Sequence, residues 1–208
     1  RDIDKATIST LHGFASSILR LKPLEAGLPP GVLNIITGPG SAIGDTLVTH
    51  PMVKGVSFTG STDTGSRLYS MGARQLKKVQ CEMGGKNAVI VLSDADIEKA
   101  LTAVVEGAFG STGQRCTATS RLIIEDAIYD SFISALIDIT KKLRIGYGLL
   151  PGIDIGPASS EEQLEQILRY IELGKVEGAT LAYGGNRITG AEFDQGFYVE
   201  PTIFTDVE

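Results

Sequence analysis

A short apolar run, closed by a glycine turn and followed by a helix-like stretch, recurs along the first hundred residues. It constrains the fold more than any other feature. Val56 to Thr59 ends at the turn Gly60 to Thr62, and Asp63 to about Met71 reads as a helix. Val32 to Thr37 ends at Gly38-Pro39-Gly40 and leads into a short helix from about Ala42 to Thr49. Lys78 to Cys81 is a third strand. Strand, glycine turn and helix in succession is the rhythm of parallel βαβ units. In such sheets ligands sit at the carboxyl ends of strands, where the turns lead into helix N-termini.

A second block begins near Asn87. Ala88 to Leu92 is a strongly apolar strand, Ser93-Asp94-Ala95-Asp96 has the residues of a helix N-cap, and Ile97 to Phe109 shows helical apolar spacing. Arg121 to Glu125 reads as another strand, and Ile128 to Leu143 and Ser160 to Val176 as amphipathic helices. Glu161 and Glu162 fall in the first turn of the latter, where the helix dipole favours them. Thr180 to Tyr183, Phe197 to Val199 and Thr202 to Phe204 are short strand candidates. The fold class is α/β, with a domain division expected near Gly84-Gly85, giving 1–84 and 85–208.

Bulk properties remove several functions. Nineteen Lys and Arg against 25 Asp and Glu give a net charge of −6. Binding to nucleic acid or to an anionic membrane needs a basic face, so neither is expected. Hydrophobic content of 42% and a mean hydropathy of +0.11 allow a sizeable core. No apolar run approaches a membrane span, and the N-terminus has no signal-peptide pattern. Two cysteines and no disulfide framework read as a reducing, cytoplasmic setting. Two histidines and two cysteines without ligand spacing give no metal site.

Chemistry concentrates in two stretches. Glu82 lies in Cys81-Glu82-Met83-Gly84-Gly85-Lys86-Asn87, and Cys116 lies 34 residues on, in Gly113-Gln114-Arg115-Cys116-Thr117. A thiolate attacks carbonyl carbon well. A free cysteine is otherwise commonly a buried structural residue. Gly113, Gln114, Thr117 and Thr119 make the surroundings of Cys116 too polar for a core strand, and Arg115 could lower the thiol pKa if it points the same way. Glu82, placed directly after a strand, is either a solvated loop residue or a base. Partial burial beside Met83 would raise its pKa toward useful proton transfer. Gly60-Ser61-Thr62-Asp63-Thr64-Gly65 departs from Gly-x-Gly-x-x-Gly. It reads equally as a capped helix start or as a cradle for a pyrophosphate.

These motifs resemble the NAD(P)-dependent aldehyde dehydrogenases. Phe-Thr-Gly-Ser-Thr-x-x-Gly, Glu-Met-Gly-Gly-Lys-Asn and Gly-Gln-Arg-Cys-Thr occur in that family's order. They are followed by Ile155-Gly156-Pro157 and by Gly196-Phe197-Tyr198-Val199-Glu200-Pro201-Thr202. The resemblance spans about Glu25 to Thr202. It implies part of a Rossmann-like parallel-sheet cofactor domain followed by part of an α/β catalytic domain. It implies that Cys116 attacks an aldehyde, that hydride passes to NAD or NADP, and that Glu82 activates the water that hydrolyses the thioester. The Cys116 backbone N–H would supply half an oxyanion hole. Gly60, Ser61 and Gly65 would line the pyrophosphate and nicotinamide side, Gly40 would lie near the adenine, and Gly84 near the nicotinamide. Glu82 places the chain with the hydrolytic rather than the CoA-acylating branch, and a homo-oligomer is implied for the full-length protein.

The departures are specific. The family's Pro-Trp-Asn segment, with its oxyanion-hole Asn, and its Glu-Ile-Phe-Gly-Pro segment are absent, and Leu21-Lys22-Pro23 stands too close to Gly31 for Lys22 to be assigned. Both ends are expected to be cut from a longer protein. The rival expectation is therefore a catalytically incomplete fragment with a structural or binding role. A cysteine hydrolase is a third, predicting NAD-independent esterase activity that depends on His12 or His50.

Overall fold

The computed structural model describes residues 32, 34, 36–190 and 192–207. The segment Leu21-Lys22-Pro23 and His12 lie outside the described residues, as do Leu33 and Ile35 of the strand expected at 32–37. The chain divides into two compact units. One holds the residues up to Phe58 together with Ser66–Cys81, and the other holds Thr59–Gly65 and Glu82–Glu208.

In the first unit, α1 (Gly40–Thr49) begins two residues earlier than its apolar spacing predicts. Pro39 stands before it in an extended conformation, and its carbonyl accepts from Ala42 at 2.9 Å. Strands β1 (Gly55–Gly60) and β2 (Lys78–Met83) are neighbours, joined through α2 (Thr62–Ala73). Gly72 is buried where a Cβ would collide with the side chain of Val79, so the helix lies directly on its following strand. Lys77 donates to the carbonyl of His50 at 2.7 Å, and Arg67 pairs with Asp45, tying the middle of α2 and the loop beyond it back to α1 and its C-cap.

β2 runs two residues further than the sequence predicts and takes in Glu82 and Met83. Propensity alone ends the strand before the glycines, and strand limits depend on context beyond propensity. Glu82 therefore sits on a strand end rather than in the loop after it.

The second unit contains a parallel βαβ unit. β3 (Asn87–Val91) leads through α3 (Ile97–Phe109) to β4 (Thr119–Ile124), and the two strands pair in parallel from Ala88↔Arg121 to Val91↔Ile124. Asp96 caps α3 by accepting from the Lys99 N–H at 3.2 Å. Val91, Leu101, Val104 and Val105 pack with Phe132 and Leu136 of α4 (Tyr129–Thr140) into the main core. Glu125, expected in the strand, lies beyond it: its N–H donates to the Val91 carbonyl and its carboxylate accepts from the Ser93 N–H at 2.6 Å.

A second core forms around α5 (Glu161–Val176), capped by Ser160, with Leu164 and Ile171 against Ala158 and Val199. Burying Leu164 contributes about 1.5–3 kcal/mol. β5 (Thr180–Tyr183) pairs antiparallel with β8 (Ile203–Thr205). β6 (Arg187–Ile188) pairs antiparallel with β7 (Tyr198–Val199). Among the described residues no helix is long and apolar enough to cross a membrane.

Candidate active site

The segment bearing Cys116 is shaped by an unusual turn. After α3, the 3-10 turn Gly110–Gly113 carries three successive left-handed residues: Ser111 at φ 55°, Thr112 at φ 58° and Gly113 at φ 66°. For a β-branched residue such as Thr112 this conformation is costly and must be imposed by its surroundings. Thr112 Oγ1 donates to the Gly156 carbonyl at 3.1 Å, which supplies one such restraint. Gly113 is required where it stands, since a Cβ there would lie 2.9 Å from the Ala108 carbonyl oxygen.

Gln114 and Arg115 then use their side chains on backbone. Gln114 accepts from the Ser159 N–H at 2.9 Å. Arg115 donates to the carbonyls of Glu106 at 2.8 Å and Gly107 at 3.3 Å, near the C-terminal end of α3, where a cation also suits the helix dipole. The guanidinium is thus engaged at the helix end.

Cys116 follows, exposed and free, and its polar neighbours do place it outside the core. Cys81 is half-buried and, like Cys116, forms no disulfide. Ala118 is buried, and its N–H closes a turn onto the Arg115 carbonyl at 3.0 Å. Asn87, the first residue of β3, donates its side-chain amide to the carbonyls of Cys116 at 2.8 Å and Ala118 at 3.1 Å. Sequence reasoning gave no role to Asn87 or Thr112. The only signal for Asn87 is its place in the Glu-Met-Gly-Gly-Lys-Asn run.

Glu82 is exposed, and Met83 beside it is 37% exposed. Among the described residues none buries Glu82, so the partial burial anticipated from the sequence is not supplied by them. Gly84 is also exposed, with no atom within 4 Å of where its Cβ would be. At the other turn, Ser61 caps α2: its hydroxyl oxygen accepts from the Thr64 N–H at 3.3 Å, and its carbonyl accepts from the Gly65 N–H at 2.9 Å. Gly60 and Ser61 are exposed at the start of a twelve-residue helix, and Gly65 is buried. Gly60, Ser61, Gly65, Glu82, Gly84 and Cys116 all belong to the second unit, whereas Gly40 belongs to the first. Among the described residues no group of three or more His, Cys, Asp or Glu converges to hold a metal.

Comparison with known proteins gives one family throughout. Residues 15–208 match the model of the aldehyde dehydrogenase family. The chain is 48% identical over 183 residues to an alpha-ketoglutaric semialdehyde dehydrogenase of Bacillus subtilis, covering 88% of this chain and 38% of that protein. The structure of HpcC from Thermus thermophilus superposes with a TM-score of 0.87 at 40% identity, over 92% of this chain and 38% of the other. Betaine aldehyde dehydrogenase of Staphylococcus aureus, solved with NAD+, gives a TM-score of 0.87 at 37% identity over the same shares. The chain thus spans well under half the length of the relatives it matches. An α/β fold with a parallel βαβ unit agrees with these matches, and the chain belongs to the aldehyde dehydrogenase family.

Proposed function

We propose that this chain carries the reacting groups of an enzyme that oxidises an aldehyde to a carboxylic acid with NAD or NADP. The observation that carries the reading is the presentation of Cys116: an exposed thiol on a segment whose backbone is fastened by Asn87, while Thr112, Gln114 and Arg115 fasten the approach to it. A structural cysteine would be buried.

In this reading the Cys116 thiolate adds to the aldehyde carbon and forms a C–S bond. The backbone N–H of Cys116 donates to the developing oxyanion. Loss of hydride from the thiohemiacetal leaves an acyl thioester on sulfur. Glu82 takes a proton from water, the resulting hydroxide adds to the acyl carbon, and the C–S bond breaks to return the thiolate and release the acid.

The turn at Gly60 and Ser61 fits a dinucleotide phosphate. It opens a helix of three turns, it is exposed, and its glycine leaves the backbone approachable. Gly60, Ser61 and Gly65 would hold the pyrophosphate side of the cofactor, Gly84 the nicotinamide side and Gly40 the adenine side. Bound there, NAD(P)+ would supply the hydride acceptor. Residues 1–84 then form the cofactor portion and 85–208 the catalytic portion. The aldehyde is the substrate, with no nucleic acid or membrane partner, in a cytoplasmic homo-oligomer.

The exposure of both Cys116 and Glu82 favours a second reading, in which the pair is present but not enclosed as a working site. Alkylation of Cys116 and Cys81, followed by peptide mass spectrometry with and without NAD, tests the first reading. The expected result is fast labelling at Cys116 whose rate changes with NAD while Cys81 is unaffected. Equal, NAD-indifferent labelling of both thiols would overturn it in favour of the second.

A further inference from the structure

The parallel ladder between β3 and β4 is irregular at one place, and that place adjoins Cys116. Asn87 is aligned with Thr119, but the next residue, Ala88, is aligned with Arg121, so the partner strand advances by two. Before Thr119 the ladder has no further rung. The carbonyls of Cys116 and Ala118 are taken up instead by the Asn87 side-chain amide, at 2.8 and 3.1 Å. Both acceptors are carbonyl oxygens, which cannot donate, so the amide nitrogen and not the amide oxygen must face them. One NH2 group offers two protons, and here both go to the peptide segment that carries the thiol.

We infer that Asn87 is a positioning residue for Cys116: its carboxamide extends the β ladder past its last backbone rung and fixes the peptide from which the thiol projects. The inference rests on Cys116 being the nucleophile. Among the described residues two further bonds adjoin this peptide. Ala118 N–H reaches back to the Arg115 carbonyl, and Arg121 Nε donates to the Lys86 carbonyl at 2.9 Å, next to Asn87 itself. No other side-chain donor reaches the Cys116 carbonyl among the described residues. A change at Asn87 therefore acts on the orientation of residue 116 before it acts on the core, since Asn87 is exposed and the nearest buried residue of β3 is Val91.

The test compares Asn87→Ala, Asn87→Asp and Asn87→Ser with the unaltered chain. Two rates are read: hydrogen exchange in the peptide containing residues 115–119, and iodoacetamide labelling of Cys116, with Cys81 labelling as the internal control. Asn87→Asp keeps the shape but has no donor at neutral pH, and Asn87→Ser keeps one donor. The expected result is about tenfold faster exchange and altered Cys116 labelling in the Ala and Asp variants, the scale set by losing a neutral hydrogen bond. The Ser variant should fall between them and the unaltered chain, and Cys81 labelling should stay constant.

Unchanged rates in all three variants would overturn the inference. So would equal changes in all three, which would mean that packing rather than donation matters. If Asn87→Asp fails to fold, the Ala and Ser pair still decides between these outcomes. The NAD effect on the unaltered chain reports separately on the proposed function, so a failure of either idea is recognisable on its own.

Discussion

Gln114 and Ser159 are joined at 2.9 Å, the Ser159 N–H donating to the Gln114 side-chain oxygen. The same side chain's nitrogen lies 3.5 Å from the Pro157 carbonyl. One carboxamide therefore serves an N–H and a C=O of the irregular run Ile155 to Ser159. The Gly-Gln-Arg-Cys and Ile-Gly-Pro motifs, more than 40 residues apart, are brought into contact by this pair and by Thr112.

Replacing Gln114 by Ala should loosen the 155–159 run without emptying a core, because Gln114 is exposed. The cost should be about 0.5–1.5 kcal/mol, the worth of one good neutral hydrogen bond. Urea unfolding would read it as a lower midpoint at constant slope. A midpoint unchanged within error would mean that water replaces Gln114 without loss.

Gly113→Ala should be more severe. The residue has φ 66°, and a Cβ would lie 2.9 Å from the Ala108 carbonyl oxygen. Strain in a left-handed position costs about 1–3 kcal/mol, and the clash adds to it unless the turn rebuilds. Rebuilding would displace Gln114 and Cys116, so faster hydrogen exchange in residues 110–118 is expected alongside a lower thermal midpoint. A variant as stable as the parent, with exchange unaltered, would contradict the geometry of this turn.

How much of this was legible in sequence depends on the range of the forces involved. α3 was readable residue for residue, because Asp96 supplies a cap and Leu101, Val104 and Val105 repeat at helical spacing. α5 was readable to within its cap, Ser160. β6 was not, since Arg187–Ile188 is two residues long and exists only through pairing with Tyr198–Val199. The end of β2 was misplaced by two residues, since the strand runs on through Glu82 and Met83. At the site, the polar neighbours of Cys116 correctly marked it as lying outside the core. Their actual work was hidden, because Asn87, Thr112 and Gln114 find partners 29 to 45 residues away.

Glu82→Gln should separate the two halves of the proposed reaction. The amide cannot take a proton from water, so thioester hydrolysis should slow by about 10²–10⁴-fold, the usual contribution of a general base. Thiol attack and hydride loss should persist and appear as a burst of reduced cofactor in the full-length enzyme. Equal loss of the burst and of the steady state would remove Glu82 from the role of base.

Acid should weaken the second unit through a small set of surface carboxylates. Side-chain and backbone hydrogen bonds from Lys99 hold Asp96 below the usual carboxylate range, and the Ser93 N–H does the same for Glu125. The Arg144 backbone N–H, at 2.8 Å, holds Asp154 low, with the Arg144 side chain adding to it. A hydrogen bond from Ser160 lowers Glu162. A carboxyl whose folded pKa is depressed contributes stability that is fully present above its unfolded value. That contribution is lost as pH falls through the folded one. Stability should therefore be level from neutral pH down to about 5 and fall below about 4, the ordinary carboxylate range. Asp154→Asn isolates one member: it should be less stable than the parent at pH 7, and the difference should shrink as the pH drops, because the parent's Asp154 is then protonated too. Melting temperatures of the two proteins between pH 7 and pH 2 would show it, and a gap that stays constant across that range would mean that the charge of Asp154 contributes nothing.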